Sequence, residues 1–235
     1  MITFTPYASS SAGNLYTVSD GKTVVVLDCG LPWKKARQLL QFKTSGIAGI
    51  LITHSHGDHC KGVKDAAKSG LDVYASQPTF DALQVPAHRV NVIEAGKQFQ
   101  IGTWSIVPFE TIHDTEGSLG FYMVNPEGEG FLYLTDSAYS PVRFKNLHVI
   151  SVECNFAGDI LSQNIAEGRV PAIVGRRVRR SHCSLETLIE LLKANDLSRC
   201  RAVYLLHLSD ANSDQRLMVT KIQETLGVPV YVAER

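Results

Sequence analysis

The chain has 235 residues, 44% of them hydrophobic and 20% charged, a globular composition well outside the disordered regime. Its 23 Lys and Arg balance 23 Asp and Glu, so a polyanionic partner would have to be met by a local patch rather than a global field. A length in this range favours one domain, taken as 1–235, whose core needs no disulfide or structural metal.

Short runs of β-branched and aromatic residues predict strands at 24–27, 47–52, 73–75, 104–107, 121–124, 131–134, 149–152, 202–206 and 228–232. Several are too continuously apolar to be half-exposed, which predicts strands covered on both faces. Helical spacing runs over 32–42, with proline near the start, over 184–194, with Ser184 as N-cap, and over 213–226, where Gly227 stops it. Strands come first in a run and alternate with helices later, so the expected fold is an α/β sandwich with helices outside, not a simple doubly wound sheet. Between 169 and 180 five arginines crowd together without an acid, and Gly168, Pro171 and Gly175 predict a loop there. The N-terminal residues 1–6 lack a basic run followed by an apolar stretch, so no secretory leader is expected. No apolar run approaches the roughly 18–20 residues of a membrane span. Five cysteines, an odd number without CxxC spacing, read as reduced thiols of a cytoplasmic protein.

Chemistry-bearing residues are unevenly spread. HSHGDH at 54–59 follows an apolar run and packs His54, His56, Asp58 and His59 into six positions. In extended chain His54 and His56 point the same way and can grip one ion. Gly57 then permits a sharp turn that sends Asp58 and His59 toward a second ion. His113, Asp136 and His207 each sit at the end of another apolar run, where open sheets gather active-site groups. Singly, each would be a hydrogen-bonded structural residue. Together they complete a set in which His54, His56 and His113 hold one ion, Asp58, His59 and His207 hold another, and Asp136 bridges. Dications roughly 3.5–4 Å apart repel, so an anionic bridge is required. Imidazole and carboxylate donors suit zinc, with manganese as competitor.

This ligand order, HSHGDH followed by a His-Asp pair, LTDS and a final strand-end His, resembles the metallo-β-lactamase superfamily signature. ASSSAGN at 8–14, LDCG at 27–30, HDTEGSLGF at 113–121, VECN at 152–155, SHCS at 181–184 and HLSDANSD at 207–214 resemble its WalJ/YycJ branch, which is DNA exonuclease-like. The chain departs from that branch at Ser10 and Ala12, and at Phe156-Ala157 after Asn155. The resemblance implies an αββα four-layer sandwich with two divalent metal ions and a phosphodiesterase acting on DNA or another nucleotide phosphodiester. His56, where redox members carry a carboxylate, points to hydrolysis. A water between the ions would have its pKa lowered toward about 7. Asp58 and His182 are the implied catalytic residues, His182 as proton donor to the leaving group. Arg176, Arg177, Arg179, Arg180, Ser209 and Asn212 are the implied substrate contacts, with Asp28 and Asn14 supporting the metal loops. Glu153 either faces the pocket or pairs with an arginine. Cys60 is expected to start the next helix, and His88 and His148 to lie on the surface. A small-molecule phosphodiesterase acting on cyclic nucleotides or cyclic phosphates is the rival enzyme. A non-catalytic metal-binding module is the alternative of another class. A homodimer is allowed but not specified.

Overall fold

A computed structural model describes residues 1–233. The first half builds one six-stranded sheet from β1 (Thr3–Ala8), β2 (Leu15–Ser19), β3 (Val24–Leu27), β4 (Ile47–Leu51), β5 (Val73–Ala75) and β6 (Val90–Val92), in that order. Its helices are α1 (Trp33–Leu39), α2 (Gly57–Cys60), α3 (Val63–Lys68) and α4 (Gln77–Ala82). The second half builds a seven-stranded sheet from β7 (Phe99–Ile101), β8 (Trp104–Glu110), β9 (Leu119–Val124), β10 (Gly130–Leu134), β11 (Leu147–Glu153), β12 (Ala202–Leu206) and β13 (Val230–Val232). Its helices are α5 (Gly158–Ala166), α6 (Ala172–Ser181), α7 (Leu185–Lys193) and α8 (Gln215–Leu226). Each sheet starts antiparallel and ends parallel: β1–β3 and β7–β10 are meanders, while β3–β6 and β10–β13 run parallel.

Side-chain alternation creates the layers. Val25 and Leu27 face the second sheet and pack with Trp104, Ile106, Phe121 and Tyr133, whereas Val26 faces outward onto Trp33, Ala36 and Val63. In β12, Leu206 points between the sheets while Val203 and Leu205 meet Leu188, Leu192, Met218 and Ile222 of α7 and α8. Strands apolar on both faces are therefore sandwiched, as the continuous runs required. The result is the expected helix–sheet–sheet–helix sandwich.

Helix ends follow local chemistry. Ser184 Oγ accepts from Thr187 N–H at 3.1 Å, and Asp214 Oδ1 accepts from Leu217 N–H at 2.9 Å, so α7 and α8 begin within two residues of expectation. Gly227, at φ 66°, ends α8 in the left-handed region that favours glycine.

Five expectations need correction. The arginine-rich stretch is the helix α6, not a loop. Pro171 precedes its first turn, arginine favours helix, and Gly175 is a close-approach point: a Cβ there would lie 2.3 Å from Ile165 of α5. Gly57 is not a sharp turn but the first residue of α2, and Cys60 closes that helix rather than starting the next. The strand expected at 228–232 begins only at Val230, because Pro229 lacks an N–H for the ladder. Strands β1, β2, β6 and β7 were not expected, since threonines, Pro6 and short length hide their pattern.

Candidate metal centre

The parallel strands of both sheets end at a common rim, where most of the titratable cluster gathers. Asp28 directly follows β3, Asp136 follows β10 after Thr135, and His207 directly follows β12. All three non-glycine residues adopt positive φ, at 56°, 45° and 51°. Asp and His tolerate this region better than most side chains, but it carries strain, and here it turns three strand-end side chains into one centre.

The 54–59 segment is fastened from below. Cys29 N–H donates to His59 O at 2.7 Å and Asn14 N–H to Asp58 O at 2.8 Å. Gly30 is required by this approach, because a Cβ there would sit 1.6 Å from Asp58 O. These contacts give physical meaning to the small residues in ASSSAGN and LDCG.

Three donor groups share Asp136. In the first, His54 Nε2 and His113 Nε2 lie 3.1 and 3.2 Å from His56 Nδ1, with Asp136 Oδ2 at 3.6 Å from His54 and 3.8 Å from His113. In the second, His59 Nε2 lies 3.0 Å from Asp136 Oδ2 and 3.5 Å from Asp58 Oδ2. In the third, which adds Glu153 and His182, His207 Nδ1 lies 2.7 Å from Asp136 Oδ1 and 3.1 Å from Glu153 Oε1, while its Nε2 stands 3.9 Å from Asp58 Oδ2. Donors bound at the 2.0–2.1 Å of a tetrahedral zinc site stand about 3.3 Å apart, close to the nitrogen spacing of the first group. The outer ring nitrogens are also occupied correctly. His113 Nδ1–H donates to Ser181 O at 2.9 Å, so its Nε2 presents a lone pair inward. His59 Nδ1 bonds Asp28 Oδ2 at 2.8 Å, and that carboxylate also accepts from Thr53 N–H and Tyr133 O–H. Chemically and geometrically, the residues present fit two cations.

The imidazoles of the centre are shifted in opposite directions. Burial, reinforced by neighbouring imidazoles, holds His54 well below its ordinary pKa, and His56 is lowered for the same reasons. For His59 and His207 burial acts in the same direction but is outweighed. Asp136 and Asp28 lift His59 well above normal, and Asp136 with Glu153 lifts His207 to about 10. Asp136 is buried, yet His207 and His59 hold its carboxyl well below the usual range.

Beside the metal donors stands a second arrangement. His182 Nδ1 bonds Glu153 Oε1 at 2.7 Å, which leaves Nε2 for the cavity that His182 lines. Glu153 is fully buried and also accepts from Cys183 N–H at 2.9 Å and Ser137 N–H at 3.2 Å. It therefore lies behind the cavity wall, where it pairs with the imidazoles of His182 and His207 and not with an arginine. Burial lowers the His182 pKa, but the Glu153 charge more than compensates and raises it.

The remaining sequence-nominated residues divide. Arg177 lines the same cavity, its Nε 2.9 Å from Asp114 Oδ2. Arg176 and Arg180 line an adjoining one. Arg179 instead lies over Phe156 and reaches Ser162 Oγ at 2.8 Å, on another face of α6. Ser209 and Asn212 do not line the cavity. Ser209 Oγ accepts from Asn212, whose carbonyl receives Asn164 at 2.9 Å, so they tie the loop after β12 to α5. Asn14 Nδ2 reaches Asp58 O and His59 Nε2. His88 is exposed, and His148 bonds Asn146 O at 2.7 Å. Sequence reasoning missed Thr53 and Tyr133, both on Asp28, and Thr115, whose Oγ1 lies 3.1 Å from His56 Nε2. Only the position of Thr115 inside HDTEGS could have flagged it. Size alone does not mark the site, for a larger cavity of about 500 Å³ between β1, β2 and the loop after α1 contains no imidazole or carboxylate in its lining.

Known proteins resemble this chain in sequence and in fold. The family described as a β-lactamase superfamily domain matches residues 23–208. Exodeoxyribonuclease WalJ of Streptococcus pneumoniae is 30% identical, over 95% of this chain and 89% of its own. Exodeoxyribonuclease YycJ of Bacillus anthracis is 26% identical, over 97% of this chain and 91% of its own. The metallo-β-lactamase fold protein YhfI from Bacillus subtilis superposes with a TM-score of 0.76 at 15% identity, covering 99% of this chain and 96% of that one. With the family matched across most of its length and its strand-end donors converging at one rim, the chain belongs to the metallo-β-lactamase superfamily, in the branch of the WalJ and YycJ proteins.

Proposed function

We propose that this protein is a metal-dependent phosphodiesterase of the DNA exonuclease kind. The observation that carries the reading is the donor geometry: residues from 54 to 207 offer ligand atoms within 4.8 Å of one another in three overlapping groups. The exodeoxyribonuclease relatives supply the substrate class.

Two divalent ions, zinc first and manganese as the alternative, supply Lewis acidity and activation of water near neutral pH when bound. His54, His56 and His113 would hold one, Asp58, His59 and His207 would hold the other, and Asp136 offers donor atoms to both. Asp58 also stands at the cavity wall, where its carboxylate orients the attacking water. Asp28 fixes the ring of His59, and Asn14 fixes the backbone of Asp58. Glu153 orients His182 through Nδ1, so that Nε2 delivers a proton to the departing oxygen. Arg177, anchored by Asp114, lies beside the cavity that receives the scissile phosphate.

A cytoplasmic setting follows from the same reading and is supported by five free cysteines, four of them buried. No helix among the described residues is long and apolar enough to cross a membrane.

The test is direct. Protein loaded with zinc or manganese is incubated with end-labelled duplex DNA and, separately, with cyclic mononucleotides. Progressive release of nucleotides from DNA supports the reading. Turnover of cyclic nucleotides alone favours the small-molecule phosphodiesterase, and turnover of neither leaves a metal-binding module.

A further inference from the structure

Net charge is zero, yet residues 168–185 contain five arginines and no acid. The helix α6 sorts them. Arg179 packs on Phe156, and Arg177 is engaged by Asp114. Arg176 and Arg180, one turn apart on the helix, remain. Both are exposed, and neither makes a side-chain hydrogen bond or ion pair among the described residues. They line a cavity of about 400 Å³ together with Ile173, Arg177, His113 and Asp114. His113 and Arg177 also line the cavity of the metal centre, so the two spaces adjoin through those side chains.

We propose that Arg176 and Arg180 form a clamp for a phosphodiester next to the one being cut, so that this cavity recognises a polynucleotide backbone. The proposal rests on the phosphodiesterase reading above and extends it to the substrate's length. Residues at i and i+4 present their side chains on one helix face, close enough to close on a single phosphate. Unpaired guanidinium forks bind phosphate oxygens bidentately. Ile173, 70% exposed at the same cavity, offers an apolar wall for a sugar or base edge. A cyclic mononucleotide has one phosphate, which the metal centre would occupy, and would leave the two arginines unused. Because the clamp touches phosphate alone, it does not distinguish deoxyribose from ribose.

The test compares wild-type protein with Arg176→Ala/Arg180→Ala on a fluorescein-labelled single-stranded DNA oligonucleotide, its RNA counterpart, and bis(p-nitrophenyl) phosphate. The ratio of kcat/KM for oligonucleotide to that for the small diester should fall roughly 10- to 100-fold, with the loss in KM. The slope of log binding constant against log salt should shrink by about 0.7, as expected when one phosphate of a single strand is no longer neutralised. Arg176→Lys/Arg180→Lys should retain most of that slope, and Arg176→Gln/Arg180→Gln, which should lose it, stands in if the alanine variant does not fold. An unchanged KM and slope on an oligonucleotide that wild type does cleave would overturn the clamp and leave the phosphodiesterase reading intact. So would an equal loss on all substrates by a folded variant. Wild type that hydrolyses the small diester but neither binds nor cuts either oligonucleotide would remove the nuclease reading and the clamp together. A shortfall on DNA but not RNA would also count against it, because phosphate contact is blind to the sugar.

Discussion

The two sheets contribute to the metal centre in opposite styles. The first delivers His54, His56, Asp58 and His59 in one six-residue segment that runs from the end of β4 into α2, clamped by the loops at Asn14 and Gly30. The second delivers its donors singly, from the ends of β8, β10 and β12, separated by 23 and 71 residues of chain (136 − 113; 207 − 136). A contiguous loop can preserve its internal geometry even when the strands shift. Isolated strand-end donors depend on the whole sheet's register. Damage to the first side should therefore act locally, through backbone contacts, whereas damage to the second should uncouple the two metal sites.

Asp136 offers the largest test of that contrast, since it belongs to all three donor groups. Asp136→Ala should lose most bound metal and lower kcat/KM by more than about 100-fold, beyond the range expected for partners that only support a ligand. Metal content by elemental analysis and DNA turnover measure both. Retention of a full metal complement would show that the donors of the second sheet are dispensable.

Asp58 and His182 should separate metal binding from proton transfer. Asp58→Ala is expected to lose metal and activity together. His182→Ala should keep its metal and lose roughly 10²–10⁴ in turnover, the span typical of a general acid. Equal metal loss in the two variants would remove the acid assignment. A flat comparison of kcat would do the same.

Gly30→Ala probes the fastening of the first sheet's loop. Its Cβ would collide with the Asp58 carbonyl, so that backbone must move. Thermal unfolding should report a loss of about 1–3 kcal/mol, and metal affinity should weaken in parallel. An unaltered affinity would mean that the loop holds its shape without the contact to Gly30.

The smallest effect lies at the far end of the second sheet. There Glu129 accepts from Arg201 at 2.9 Å, from Asn125 and from Ile2 N–H. Burial raises its carboxyl pKa, but the Arg201 hydrogen bond and charge outweigh this and leave it below normal. A depressed carboxyl contributes stability that is complete above its unfolded value, about 4.3, and fades as pH falls through the folded value. Glu129→Gln should therefore cost below about 1 kcal/mol at pH 7 and nothing in strong acid, given that the pair meets solvent. Unfolding curves at both pH values check this, and metal binding should be indifferent.

Legibility followed the same divide. The metal loop could be read because its four donors are neighbours in sequence, and β12 and α7 could be read because their apolar periods are long and their caps are present. His113, Asp136 and His207 were nominated by position after apolar runs, but proximity among them depends on β8, β10 and β12 being placed in one sheet. The arginines show the limit most clearly. Composition identified the cluster, while glycines at 168 and 175 suggested a loop, because a helical glycine that permits close packing on α5 looks identical to a breaker until the partner helix is placed. Which arginine faces the cavity was invisible for the same reason. Ser209 and Asn212 sit in a recognisable motif, yet their hydrogen bonds turn inward to the loop and to α5.

Residue type and local spacing by themselves determined the donor chemistry, the strand-and-helix alternation and the superfamily. Donor pairing across 153 residues of chain (207 − 54), the pairing of Glu153 with His182, and the sorting of arginines around α6 were decided only by tertiary structure. Sequence periodicity tells which face of an element is apolar. It carries no information on which strand tips share a rim, because that depends on sheet order and register, and those are set by packing over the whole core.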